Sequence, residues 1–252
     1  STLTYLEKPD KEKAVNAISD MLSGFGFTEI MSNSLTPAGL YQDNPDFEEK
    51  KMVILANPLS SDLNAMRQSL LYGGLSALER NINRQNKNLR FYEFGSCYFK
   101  DTREGAKVND YSESYNLDLF TTGEAVPESW NLKVSPTDFF FLKSAVDMIL
   151  EKAGANMHTI RQEEADKKFF SEGLQYKLDN KELAILGKIS KKLTTDFDIK
   201  QDVYYASIRW DSVMNIIRNL KPGFKELPKF PAVRRDLALL LNSDIRFSTL
   251  KD

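Results

Sequence analysis

Histidine and cysteine are almost missing: the 252 residues include one of each, His158 and Cys97. A lone thiol forms no disulfide within the chain. One histidine and one cysteine also supply neither a His/Cys zinc site nor a cysteine–histidine nucleophilic pair. Long apolar runs are absent too, and none approaches the roughly 20 residues that span a bilayer. Excess charge of one sign is lacking, since 34 Lys and Arg face 36 Asp and Glu. Wholesale wrapping of nucleic acid is therefore not expected, although a local basic patch would not show in that balance. The opening STLTYLEKPDKEK has no basic segment, apolar core or cleavage site of a secretory signal. With the single cysteine, this predicts a cytoplasmic protein. Phosphate-cradling glycine loops are missing as well. Gly24/Gly26 and Gly73/Gly74 have neither the spacing nor the neighbours of a G-x-G-x-x-G or Walker loop, and read as helix punctuation.

What is present is enough for a sizeable core. Asp10 is a candidate N-cap for a helix whose Ala14, Val15, Ile18, Met21 and Leu22 form one apolar stripe, closed by Gly24 and Gly26. FTEIMSNSL and KMVILANPL read as short strands, the second ended by Pro58. Asn64 is a candidate cap for a long helix through MRQSLLYGGLSALERNINRQ, with Leu71, Leu75, Leu78 and Ile82 in helical register. Gly73 and Gly74 inside it cost about 1 kcal/mol each relative to alanine, which predicts close backbone approach or a break.

LRFYEFGSCYF, residues 89 to 99, is apolar on both faces and predicts a strand covered on both sides; it pairs with YNLDLFTTG as a long hairpin. Ser135, Pro136 and Asp138 open a helix through FFFLKSAVDMILEKAG that Gly154 ends. LQYKL and KELAILGKI form a second hairpin around Asp179 and Asn180. VYYASI adds a strand, followed by a short helix that Asp211 is expected to cap. Strands outnumber helices and are mostly linked as hairpins, so the class is α+β with an antiparallel sheet. KPGFKELPKFP, residues 221 to 231, reads as a connection.

The candidate contact residues are arginines. Arg67 is either a surface or intramolecular ion-pair residue or a contact to a partner or to its own sheet. Arg80, Arg84, Lys87 and Arg90 form a basic run open to two readings, solvated charge or contact with RNA phosphate. Arg234 and Arg235 lie directly after the proline-rich connection and before the apolar run LALLL. They are expected to pair with acids or stay solvated, while Leu237, Leu239 and Leu241 seek cover for a strand. His158 reads as a surface loop or strand residue. The stripe of the first helix serves either its own core or a partner, and in the second case an apolar patch should be exposed.

NPLSSDLNAMRQSLLYGGLSALERNINRQNKNLRFYEFGSCYF, residues 57 to 99, resembles the β subunit of bacterial phenylalanyl-tRNA synthetase, in its catalytic-like core module. Trp130 and DFFFLKSAVDMIL are similar to the next landmark of that family. PKFPAVRRDLALLL resembles the opening of its ferredoxin-like anticodon-binding domain. The resemblance implies a class II aminoacyl-tRNA synthetase-like antiparallel sheet flanked by helices over residues 1–221, then a linker and the truncated start of the C-terminal domain over 222–252. It implies a module without catalytic, cofactor or metal residues of its own. ATP and magnesium would act in the α2β2 holoenzyme, whose partners are the α subunit and tRNA for phenylalanine. Arg90 and Glu93 only loosely echo the arginine and glutamate of an active hairpin, and LAILGKIS lacks a Gly-x-Gly-x-x-Arg continuation. Residues 169 to 192, with FFSEGLQY and ISKKL, depart from the His-Pro-containing stretches of many relatives. Two other classes compete with this reading: a class II-type ATP-dependent ligase acting alone, and a freestanding RNA-binding module.

Overall fold

The computed structural model describes residues 10–100, 110–220, 230, 233–242 and 245. Cα proximity divides the chain into two units, Ser1–Arg218 and Asn219–Asp252.

The first unit is a three-layer α+β structure. It opens with α1 (Lys11–Gly24), where the Asp10 carboxylate accepts from the backbone N–H of Glu12 and Lys13 as expected of an N-cap. Of the stripe on α1, Ile18 and Leu22 are buried and Ala14, Val15 and Met21 pack at the margin of the same core. The next elements are shorter than the sequence pattern suggested. FTEIMSNSL yields only β1 (Thr28–Glu29) and part of β2 (Leu35–Thr36). KMVILANPL makes one bridge, Ile54 to Ala65, because the polar, turn-rich chain on both sides offers no longer partner. Single 3-10 turns at Ala38–Leu40, Glu49–Lys51 and Ser61–Leu63 fill the interval before β3 (Ala65–Met66).

Helix α2 (Leu71–Asn83) starts six residues later than the Asn64 cap implied. Asn64 instead accepts from Ala38 N–H, and Ala65–Met66 pairs with β2, so tertiary pairing overrides helix propensity there. Gly74 explains the glycine pair: a Cβ would collide with the Phe120 ring. At Gly73 it would meet Ser32. The helix therefore lies nearly against the sheet.

The strands β4 (Leu89–Lys100) and β5 (Tyr111–Thr122) form the long hairpin; its connection lies outside the described residues. The minor pair β6 (Glu124–Val126) and β7 (Ser135–Pro136) precedes α3 (Phe139–Lys152). Ser135 and Pro136 thus sit in a strand, and Asp138 is the N-cap, accepting from Phe141 N–H. β8 (Arg161–Glu164), β9 (Phe170–Leu178) and β10 (Lys181–Ile189) follow, with Asp179 and Asn180 both at positive φ as a two-residue type I′ loop requires. α4 (Lys191–Asp196) leads to β11 (Val203–Arg209), which runs directly into α5 (Trp210–Asn219). Asp211 is not a cap; its carboxylate lies inside the first turn and accepts from Tyr115 N–H.

The strand order is β1-β4-β5-β11-β10-β9-β8, antiparallel except for β1 alongside β4. Alternation along the strands sends Tyr92, Leu117, Leu119, Ala206 and Ile208 toward α1, α3 and α5, and Phe91, Phe120, Ile185 and Tyr205 toward α2. β4 is covered on both faces as its composition implied.

In the second unit, residues 233–242 form no strand, and Leu237, Leu239 and Leu241 are 82%, 55% and 42% exposed. The expected cover is not there. A ten-residue stretch has too little apolar area to form a core by itself. Apart from Phe230, the 221–231 connection lies outside the described residues.

Candidate functional site

Where α2 meets the sheet, the strands turn polar. Glu93 on β4, Asp118 on β5 and Ser207 on β11 are direct cross-strand neighbours on one face. Arg67, in the link between β3 and α2, reaches down to Glu93 with Nη1–Oε1 at 2.8 Å. Its Nε donates to Ser96 O at 2.9 Å, and the same Nη1 also lies within hydrogen-bond distance of Ser32 O at 3.2 Å and Ser32 Oγ at 3.0 Å. Ser32 Oγ donates in turn to Glu93 Oε2 at 2.6 Å. Only 6% of Arg67 is exposed, and its Nε and Nη1 are committed within the chain to Ser96, Ser32 and Glu93. Of its sequence readings, the geometry matches the intramolecular ion pair and the contact to its own sheet.

Asp118 is fully buried and accepts from Tyr205 O–H and Ser207 O–H, each at 2.6 Å. Burial pushes its carboxyl up to about 7, the two hydroxyls oppose that, and the neighbouring Glu93 charge adds to it. Tyr205 is raised well above the usual phenol range by the same burial and by Asp118. Cys97, on the same face of β4, is buried, and burial with the Asp118 charge pushes its thiol up to about 12. An inert, inaccessible thiol is no nucleophile. Both acids and the cysteine are buried, and the carboxylates are hydrogen-bonded within the chain.

Beside this cluster a cleft of about 660 Å³ opens between residues 30–41 and α2. Ser32, Tyr41, Arg67, Ser69, Tyr72 and Arg80 are among its lining residues. Within that lining Arg67 donates to Ser32, and Tyr41 O–H to Ser69 O. The stretch that departs from the family pattern closes the sheet beyond the cleft: Phe169 and Phe170 pack on Tyr205 and on each other. Asp46 clamps them by accepting from Lys168 N–H at 2.7 Å and Phe169 N–H at 2.8 Å.

The remaining sequence candidates scatter. Arg90 is not free for RNA. Its guanidinium lies over the Phe141 ring at 4.7 Å and donates to Phe25 O at 2.9 Å and to Ala125 O. Arg80, Arg84 and Lys87 are exposed. Arg234 and Arg235 are exposed, Arg234 lying 3.6 Å from Asp236. His158 is an exposed turn residue. Among the described residues no cluster of three or more His, Cys, Asp or Glu could hold a metal ion, and no helix is long and apolar enough to cross a membrane.

Sequence reasoning missed one surface. Trp130, Leu132 and Val134 on the loop between β6 and β7, Phe140 in the first turn of α3 and Phe25 at the end of α1 are exposed large apolar residues. Arg90 ties two of their supports together by bridging Phe25 O and Ala125 O. The signal was available in WNLKV and FFF, three apolar residues between polar ones and a triple phenylalanine that one helix face cannot bury whole.

A family model described as the phenylalanyl-tRNA synthetase beta chain CLM domain matches residues 2–210. The phenylalanine–tRNA ligase beta subunit of Bacteroides thetaiotaomicron is 41% identical over 256 residues, covering 100% of this chain and 31% of that protein. The corresponding subunit of Porphyromonas gingivalis is 35% identical over 250 residues, covering 97% and 30%. The chain therefore spans about a third of the length of these relatives. Among solved structures, a pyrrolysyl-tRNA synthetase from Desulfitobacterium hafniense superposes with a TM-score of 0.60 at 17% identity, over 83% of this chain and 69% of that one.

Proposed function

The chain belongs to the phenylalanyl-tRNA synthetase β-chain family, and on that premise we propose that it is a noncatalytic module that scaffolds the catalytic α subunit and helps to position tRNA for ATP-dependent attachment of phenylalanine. Its sheet is a class II synthetase-like sheet whose chemistry has been closed off. The observation that carries this reading is the α2-covered face: Glu93 and Asp118, its two carboxylates there, are locked to Arg67, Ser32, Tyr205 and Ser207 beneath α2, and Phe169 and Phe170 fill the sheet beyond. An active adenylation site needs arginines free to neutralise the charge that moves onto pyrophosphate. Here Arg67 and Arg90 are spent on carboxylate and backbone partners.

The exposed apolar group around Trp130 and Phe140 suits docking of a partner subunit, since an apolar surface left in water has a cost that association removes. ATP, magnesium and phenylalanine then bind on the other subunit, in a heterotetramer of the α2β2 kind working in the cytoplasm. The test is co-expression of the complete β subunit with its α partner. A Trp130→Ser/Phe140→Ser pair is expected to reduce recovery of the complex, and unchanged recovery would remove that surface from the interface.

A further inference from the structure

One surface remains unexplained by the ion pairs and the apolar group. Arg80 and Arg84 lie one turn apart on α2 and its C-cap, and Lys87 follows in the exposed polar segment Gln85-Asn86-Lys87-Asn88. That segment is stitched to the far side of α4: Gln201 Nε2 donates to Lys87 O at 2.7 Å, which sets Lys200 beside it. Lys191 Nζ donates to Lys200 O at 3.0 Å, and Lys192 is its neighbour on α4. Phe197 stacks on Tyr72 with ring centroids 6.1 Å apart, anchoring α4 against α2. Six exposed cations widely separated in sequence thus sit on segments that these contacts join. Lys188, nearby, is already paired with Asp202 at 2.8 Å. The local acids are Glu79 on α2 and Asp196 and Asp198 at the C-terminal end of α4. Asp196 lies one helical turn after Lys192, and Glu124 accepts from Asn88 Nδ2 next to Lys87, so the six cations outnumber but are not free of nearby acids.

We propose that Arg80, Arg84, Lys87, Lys191, Lys192 and Lys200 form a contact surface for an RNA phosphodiester backbone. The inference rests on the proposed function and deepens it by naming where this module would touch tRNA. Two features favour RNA over an acidic protein. No exposed large apolar residue lies within 79–89 or 187–202, so the patch lacks the desolvated apolar centre of a protein interface. A polyanion needs none, because release of its counterions drives binding. The exposed amides of Gln85 and Asn86 add donors of the kind that contact phosphate and ribose oxygens.

The test titrates unfractionated tRNA into the complete β subunit in complex with its α partner, at several salt concentrations. An Arg84→Ala/Lys87→Ala/Lys191→Ala/Lys192→Ala variant is expected to weaken binding by about tenfold or more near 0.1 M salt. The salt slope should become shallower by roughly one for each phosphate that is no longer neutralised. A Lys152→Ala/Lys181→Ala control, altering exposed cations elsewhere, should bind as the parent does. Parent-like affinity in the fourfold variant overturns the proposal, and so does an equal loss in the control. Competition by poly-glutamate as effective as that by tRNA at matched charge also overturns it, assigning the surface to an acidic protein. Failure of the parent subunits to associate would instead count against the proposed function, and the same titration is then read on the 252-residue chain itself.

Discussion

On the side covered by α1, α3 and α5, the sheet presents Leu117, Leu119, Ala184, Leu186, Ala206 and Ile208, which pack with Ile18, Leu22, Val146, Ile149 and Trp210. On the side covered by α2, the same strands present Glu93, Cys97, Asp118, Thr122 and Ser207 among Phe91, Phe120 and Tyr205. Both sides are closed to water, but by different means. The first is held by area removed from solvent, a diffuse and forgiving interaction. The second is held by hydrogen bonds and one ion pair whose geometry must be met in full, because an orphaned buried charge is costly. The second layer keeps two acids and an arginine largely out of solvent by pairing them with one another and with hydroxyls.

That contrast can be broken from either side. Arg67→Met leaves Glu93 buried and uncompensated, and should cost about 3–5 kcal/mol in denaturant unfolding. Trp210→Ala on the opposite face should cost a similar ~3–5 kcal/mol by cavity formation. The two differ in repair: adding Glu93→Leu to Arg67→Met should recover much of the loss, whereas no single second change refills the Trp210 cavity.

The pH response should belong to the α2 side. Asp118 is ionised in the unfolded chain above about 3.9 but holds its proton in the folded chain up to about 7. The folded state binds the extra proton, so stability falls as pH rises from about 4 to about 7 and levels off above. At 1.36 kcal/mol per unit this amounts to up to about 4 kcal/mol. Asp118→Asn should flatten that window in chemical denaturation, and a slope that survives would refer it to another group.

Smaller effects follow from the close approach of α2 to the sheet. Gly74→Ala, driving a methyl into Phe120, should destabilise by about 1–3 kcal/mol. Gly24→Ala meets nothing within 4 Å and should be neutral or stabilising by under about 1 kcal/mol. Equal melting temperatures for these two variants would refute the close approach.

The elements with strong periodicity were legible in sequence: α1 with its Asp10 cap, the two hairpins, and the Leu71/Leu75/Leu78 face of α2. Misreadings occurred where a side chain served a distant partner. Asn64 and Asp211 look like caps because their types suit capping, yet Asn64 binds Ala38 and Asp211 binds Tyr115, 26 and 96 residues away. The partner of Arg67 could not be named from sequence for the same reason. Its partners Ser32, Glu93 and Ser96 come from segments that only the sheet brings together. The basic edge was half legible, since Arg80, Arg84 and Lys87 are adjacent in sequence but Lys191, Lys192 and Lys200 join them only through the Gln201 and Phe197 contacts.

The central claim is that the polar face of this sheet is architecture rather than an active site. Phenylalanine-dependent ATP–pyrophosphate exchange tests it most directly, measured on the purified chain and on the complex of complete α and β subunits. Exchange is expected of the complex and none above background of the chain, with Asp118→Asn leaving exchange by the complex intact. Robust exchange by the chain alone, abolished by Arg67→Met or Asp118→Asn, would contradict it.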